Sequence, residues 1–312
     1  MRNATDQNRD YPIPGNVNLA VTGLQIAALL SLLWLAGKVN LGWGLLLISL
    51  GYGLVMNSGY AMMHEAEHNI LHPNRLINNA AGVILGLFFP APFHLLRQGH
   101  LGHHLRNRSD DEAFDFYFEG ESPIWKYLQL YGILTGFFWI SIILSNFLAL
   151  LIPNLLKPKF ASFDRPTAAV LESLNPKFQK LVRWEALAVV LLHGFLIWFW
   201  KVPFIHYAIV ITGFGFIWSA LQYVHHFGTV RDVQKGALNL KTFAWLDLLW
   251  LNHNWHLNHH LRPTVPWIYL PFLDQDVDSQ RGNLFRAYLR MWRGPRFTTE
   301  RVQNRYAGKI IG

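Results

Sequence analysis

Long uncharged stretches alternate with short polar ones along this chain. Residues 11–37 carry no charge, and 19–37 is an almost continuous apolar run. A second uncharged run covers 39–63. Each is long enough for the ~20 residues that cross a bilayer. Lys38 alone separates them, so they read as a helical hairpin with Trp34 and Trp43 flanking its turn, where an interfacial aromatic belt lies. A shorter stretch, 76–93, is interrupted by Pro90 and Pro92 and reads as re-entrant or interfacial. The stretch 127–156 is uncharged throughout. The last two, 186–200 and 202–224, are separated by Lys201, with Pro203 just after it.

The pattern predicts an all-α, polytopic membrane protein. It has four transmembrane helices, one or two re-entrant or interfacial helices, and a histidine-rich cap on the cytoplasmic side. Four spans follow if 127–156 lies in the membrane without crossing and 186–224 forms a hairpin. They follow equally from one crossing at 127–156 and one at 202–224. Three divisions are expected: an N-terminal cytoplasmic segment, 1–18, a membrane domain, 19–270, and a basic cytoplasmic tail, 271–312.

Charge sharpens the sidedness. The chain is 52% hydrophobic and only 15% charged, against about 25% charged in a soluble domain. Its net charge is +8. The positive residues concentrate in two places. The 157–184 loop carries Lys157, Lys159, Arg165, Lys177, Lys180 and Arg183 against Asp164 and Glu172. The tail carries Arg281, Arg286, Arg290, Arg293, Arg296, Arg301, Arg305 and Lys309. The positive-inside rule places both in the cytoplasm, so the active site and both termini are expected there. No nucleic-acid motif accompanies these residues, and no nucleic-acid partner is expected. There is no cysteine, which excludes thiolate nucleophiles, iron–sulfur clusters and Cys-bound zinc.

The chain carries 15 His, and most fall in four clusters. These are His64-Glu-Ala-Glu-His68, His100-Leu-Gly-His103-His104, Gln222-Tyr-Val-His225-His226 and His256-Leu-Asn-His259-His260. Spacings of three and four put side chains on one helical face. One zinc takes three or four ligands, so this surplus points to two metal ions. Glu65, Glu67, Asp110, Asp111, Glu112, Asp247, Asn254 and Asn258 are candidates to orient the rings. Arg97, Arg106, Arg108 and Arg262 flank the clusters and either bind a head group or pair with Asp110, Asp111 and Glu112.

HEAEH, then GHLGHH, then HLNHHLRPTVPW resemble the three histidine boxes of integral-membrane fatty acid desaturases and the related membrane hydroxylases. Gln222-x3-His226 resembles the family's polar-x3-His element, with Gln where Asn is commoner. The resemblance covers roughly residues 19 to 270. It implies a non-haem diiron centre with O2 as co-substrate. The implied ligands are His64, His68, His100, His103, His104, His226, His256, His259 and His260. His72, Gln222, His225 and His253 stand as groups that orient the ligands from behind or as extra ligands.

The implied activity is oxidation of a long lipid chain, with acyl desaturation first. Alternatives are hydroxylation or ketolation of a fatty, alkane or carotenoid chain, and decarboxylation of a fatty acid to a terminal alkene. There is no complete GxGxxG and no His-Pro-Gly-Gly. A separate electron carrier is therefore expected, a ferredoxin or rubredoxin with its reductase or a cytochrome b5. The expected home is a bacterial inner membrane rather than the endoplasmic reticulum. Two other classes compete. HEAEH also fits the HExxH of zinc peptidases, with Glu65 as base. A metal channel or carrier would place histidines at a pore mouth.

Overall fold

The computed structural model describes residues 11–273 and 281–312. Residues 1–10 of the expected N-terminal segment and 274–280 of the expected tail lie outside the described residues. Helix α1 (Gly15–Ala36) turns at residues 37–42 into α2 (Trp43–Glu67). Asn74 caps α3 (Arg75–Phe88) by accepting from the amides of Leu76 and Ile77. Pro90 and Pro92 then stop the helix, because proline lacks the amide that would continue it. The chain resumes as α4 (Phe93–Arg106), bent by 102° from α3. After a short strand β1 (Phe116–Tyr117), Ser122 caps α5 (Pro123–Leu134) through the Trp125 amide. A second bend, of 88°, leads into α6 (Phe138–Leu151). Gly136 sits at that bend with φ of 87°, and a Cβ there would run into the ring of Phe216.

The polar connection that follows contains α7 (Arg165–Glu172). It leads to α8 (Gln179–Trp200) and α9 (Phe204–Leu221), joined by Lys201 in the left-handed conformation that ends a helix. Among the described residues, α1, α2, α8 and α9 are long and apolar enough to cross a membrane. The remaining elements are β2 (Leu240–Lys241), α10 (Ala244–Leu249), α11 (His256–Leu261), β3 (Gly282–Asn283), α12 (Leu284–Met291) and β4 (Arg296–Phe297).

The two bends meet in the middle of the bundle. Phe89, at the first, packs its ring 5.4 Å from Trp139, just after the second, and 5.1 Å from Trp218 of α9. Trp139 in turn lies 5.0 Å from Phe214. Asn146 of α6 donates to the Pro90 carbonyl at 2.8 Å, satisfying a backbone acceptor that the bend exposes inside the bundle. Leu134 clusters with Tyr223, just beyond α9, and Ala149 clusters with Val182 and Ala186 near the start of α8. In the stretch 127–156, α5 and α6 form a bent pair, which is either a broken span or a re-entrant loop. The run is broken at Gly136, and its first helix starts at Pro123.

The basic C-terminal segment folds back onto the preceding chain. Strand β4 pairs with β1 and β3 with β2, and the Ile311 amide donates to the Ser173 carbonyl at 2.9 Å.

Candidate metal centre

The histidines come from four places in the fold. His64 lies in the last turn of α2, and His68 caps that helix. His100, His103 and His104 line α4, which the 102° bend carries across the end of α2. His226 lies in the turn after α9, and His256, His259 and His260 lie on α11. Carbonyl and carboxylate anchors fix these approaches. Glu185 of α8 accepts from both the His94 amide (3.0 Å) and the His94 ring (2.5 Å), holding the start of α4. Glu65 accepts from the Trp267 amide at 3.0 Å, tying α2 to the turn after α11.

The nine side chains separate into two groups. His64, His68, His100, His104 and His259 form one, and His103, His226, His256 and His260 the other. Within each group the candidate ligand atoms all lie within 4.8 Å of one another. In the first, Nε2 of His100 lies 2.8 Å from that of His68 and 3.1 Å from that of His104, and His259 and His104 approach to 2.9 Å. In the second, Nε2 of His256 lies 3.1 Å from His226 and 3.2 Å from His260, and His103 and His260 are 3.3 Å apart. The groups adjoin: the rings of His104 and His260 are 4.4 Å centre to centre.

Convergence on Nε2 is what an ion requires. Two ligands at right angles, each about 2.1 Å from a metal, stand about 3.0 Å apart. Two of the opposite nitrogens face fixed acceptors, whereas the buried Nδ1 atoms of His256, His259 and His260 have no protein partner. Nδ1 of His226 bonds the Gly236 carbonyl at 2.8 Å, and Nδ1 of His103 pairs with Glu112, which also holds Arg106 at 2.7 Å. His64 keeps its buried Nε2 without a protein partner. Burial, reinforced by neighbouring imidazoles, pushes His226, His256, His259 and His260 well below the usual imidazole range. Neutral rings with lone pairs aimed at a common point are suited to hold a metal ion.

The four further candidates fall outside both groups. His72 bonds the Asn74 amide through Nδ1 at 3.0 Å and packs under Gly15. His225 bonds the Leu238 carbonyl at 3.2 Å and lies against His256. The ring of His253 stands 4.9 Å from that of His64 and 5.2 Å from that of His256, between the groups. Burial lowers His225 to about 3 and His253 to about 4. Both line a cavity of about 30 Å³ with Gln222, Asn57 and Tyr60, room for a water or two beside the rings.

A buried knot absent from the sequence reading also supports the site. Asp115 accepts from Arg108 (2.6 and 3.1 Å), the Tyr223 hydroxyl (2.6 Å) and the Gly228 amide (2.7 Å). It thereby joins the loop after α4 to the turn that carries His226. Arg108 thus pairs with Asp115, whereas Asp110 is held by Arg231 at 2.5 Å. His193 and His206 bond the Leu87 and Ala36 carbonyls.

Comparison with known proteins gives one family. The fatty acid desaturase family matches residues 41–297, a span that includes all nine histidines. No curated protein matches the chain.

Proposed function

This chain belongs to the fatty acid desaturase family, and from that premise we propose that it is a diiron acyl desaturase supplied by a separate electron carrier. The family makes it an oxidoreductase that acts on lipid, and its apolar helices suit a multi-pass membrane protein. The observation that carries the finer reading is the division of nine histidines into two adjoining groups. Iron bound in both would supply O2 activation and removal of hydrogen from an unactivated C–H bond.

The chain's own residues set the conditions. Nine imidazoles hold two cations without a thiolate that oxidation would destroy. Glu112 and the Gly236 carbonyl fix ring orientation from behind, and Asp115 fixes the loops that carry His103 and His226. The aromatic packing of Phe89, Trp139, Phe214 and Trp218 beneath the site keeps water away. His253, with Gln222 and His225, borders the small polar cavity from which a proton or water reaches the groups. The site lies at the end of the bundle where α9 stops and α8 starts. The positive residues at that end support a cytoplasmic site, within reach of a soluble ferredoxin or rubredoxin, or of cytochrome b5.

The test is expression in a host with simple lipids, followed by mass spectrometry of its lipids and volatile hydrocarbons. An internal double bond that disappears in His260→Ala is the expected product. Unchanged lipids contradict the proposal. An added hydroxyl or a terminal alkene transfers the same site to hydroxylation or decarboxylation.

A further inference from the structure

Helix α12 carries three distinct faces. Met291 is buried, and Leu284, Ala287 and Tyr288 pack beside it against the ends of α5 and α9. Phe285, Leu289 and Trp292, at spacings of four and three, form a second face that is exposed. Arg286, Arg290 and Arg293, each one residue further on, form a third, also exposed. A helix paired with the protein on one side needs no second apolar row. A Phe-Leu-Trp row bordered by an Arg row is the pattern of a helix lying in the membrane interface.

The neighbourhood says what covers that row. Trp292 stacks on Tyr131 of α5 with ring centres 5.5 Å apart, and its carbonyl accepts from the Tyr131 hydroxyl at 3.1 Å. The Tyr288 hydroxyl donates to the Leu134 carbonyl at 3.3 Å. Helix α5 continues the apolar surface with exposed Ile124 and Leu128, and it belongs to the bent pair packed against the crossing helices α8 and α9. The exposed row of α12 is therefore continuous with the exposed apolar surface of α5, and the Arg row stands at its edge.

We propose that α12 and the outer face of α5 form an interfacial binding surface for anionic phospholipid, whose head-group phosphates pair with Arg286, Arg290 and Arg293 while Phe285, Leu289 and Trp292 enter the acyl boundary. An acidic carrier protein would use the charge but leaves the apolar row unexplained. Arg290 also donates to the Phe227 carbonyl at 3.1 Å, one residue from His226, so the surface adjoins the histidine groups.

The test uses the full chain in nanodiscs of phosphatidylcholine with a minority of phosphatidylglycerol. A spin label on Leu289→Cys is the sole thiol, since the natural chain has none. Its relaxation should respond to oxygen far more than to an aqueous nickel complex. A label that responds as one in water overturns the proposal. Native mass spectrometry should show retained phosphatidylglycerol preferred over phosphatidylcholine. In R286Q/R293Q that preference should fall about thirtyfold, from the ~1 kcal/mol that each of the two basic residues gains at an anionic surface. R305Q, a distant exposed change, should leave it unaltered. An unaltered preference in R286Q/R293Q, or binding of an acidic carrier protein lost while lipid preference stays, overturns the proposal. The label reading comes from a chain with its arginines intact, so it stands even where the double variant folds poorly.

Discussion

Glu65 is where two readings of HEAEH part. A peptidase base needs its carboxylate free beside the metal, but here it accepts the Trp267 amide in a buried position. Gln keeps a carbonyl oxygen for that bond. E65Q should therefore retain most of the lipid-oxidising activity with a modest loss of thermal stability, whereas a peptidase would lose nearly all turnover. By contrast, His104→Ala and His260→Ala, one from each group, should each abolish turnover and lower bound iron, read by metal analysis of purified protein. The ring set was legible because spacings of three and four fix a shared face whatever the fold. What holds the rings was only partly legible. Glu112 lies near its partner His103 in the chain, but the Gly236 carbonyl depends on a loop conformation that side-chain types do not encode. Asp115 meets Tyr223 across 108 residues and carries no local signal. Removing it leaves Arg108 buried without its partner. D115A should therefore cost about 3–5 kcal/mol, seen as a lowered melting temperature.

At the scale of elements, the two bends do the positioning. The first was legible in Pro90 and Pro92, since proline cannot continue a helix. The second lay hidden in an uncharged run without proline up to Pro153, which reads either as embedded without crossing or as one crossing, with no break marked. Its cause is local and visible only in three dimensions: Gly136 adopts a positive φ, and the space beside it is filled by Phe216. G136A should strain the backbone by about 1–3 kcal/mol before any displacement of Phe216. Circular dichroism melts would register it as a drop in stability with the helix content unchanged. The start of α4 depends on Glu185 from a helix 91 residues away, an anchor that sequence placed in no box. Short elements followed the same division. The turn with His226 and the six-residue α11 are set by tertiary bonds such as Asn239 to Asn258, not by propensity.

The whole molecule gathers its charge and its chemistry at one end. Loop 157–184 and the segment from Arg281 onward, expected from composition to mark one side, pack around the same end as the histidines, with Ile311 bonded to Ser173. That end is sensitive to acid in a definite direction. Burial holds the group histidines of α11 and the α9 turn below the unfolded value of about 6.5. Above that pH both states are neutral and the metal-free protein keeps its full stability. As the pH falls below it, the unfolded chain takes up protons that the folded one resists, and stability declines. Melting temperatures of chelator-treated protein should fall between about pH 7 and pH 5.5. The metal itself is the most direct measure of the central claim. Metal analysis of protein purified in mild detergent should find two iron ions per chain, with both lost in a variant lacking His104 and His260. A single zinc ion per chain, in protein that still oxidises lipid, would contradict the account.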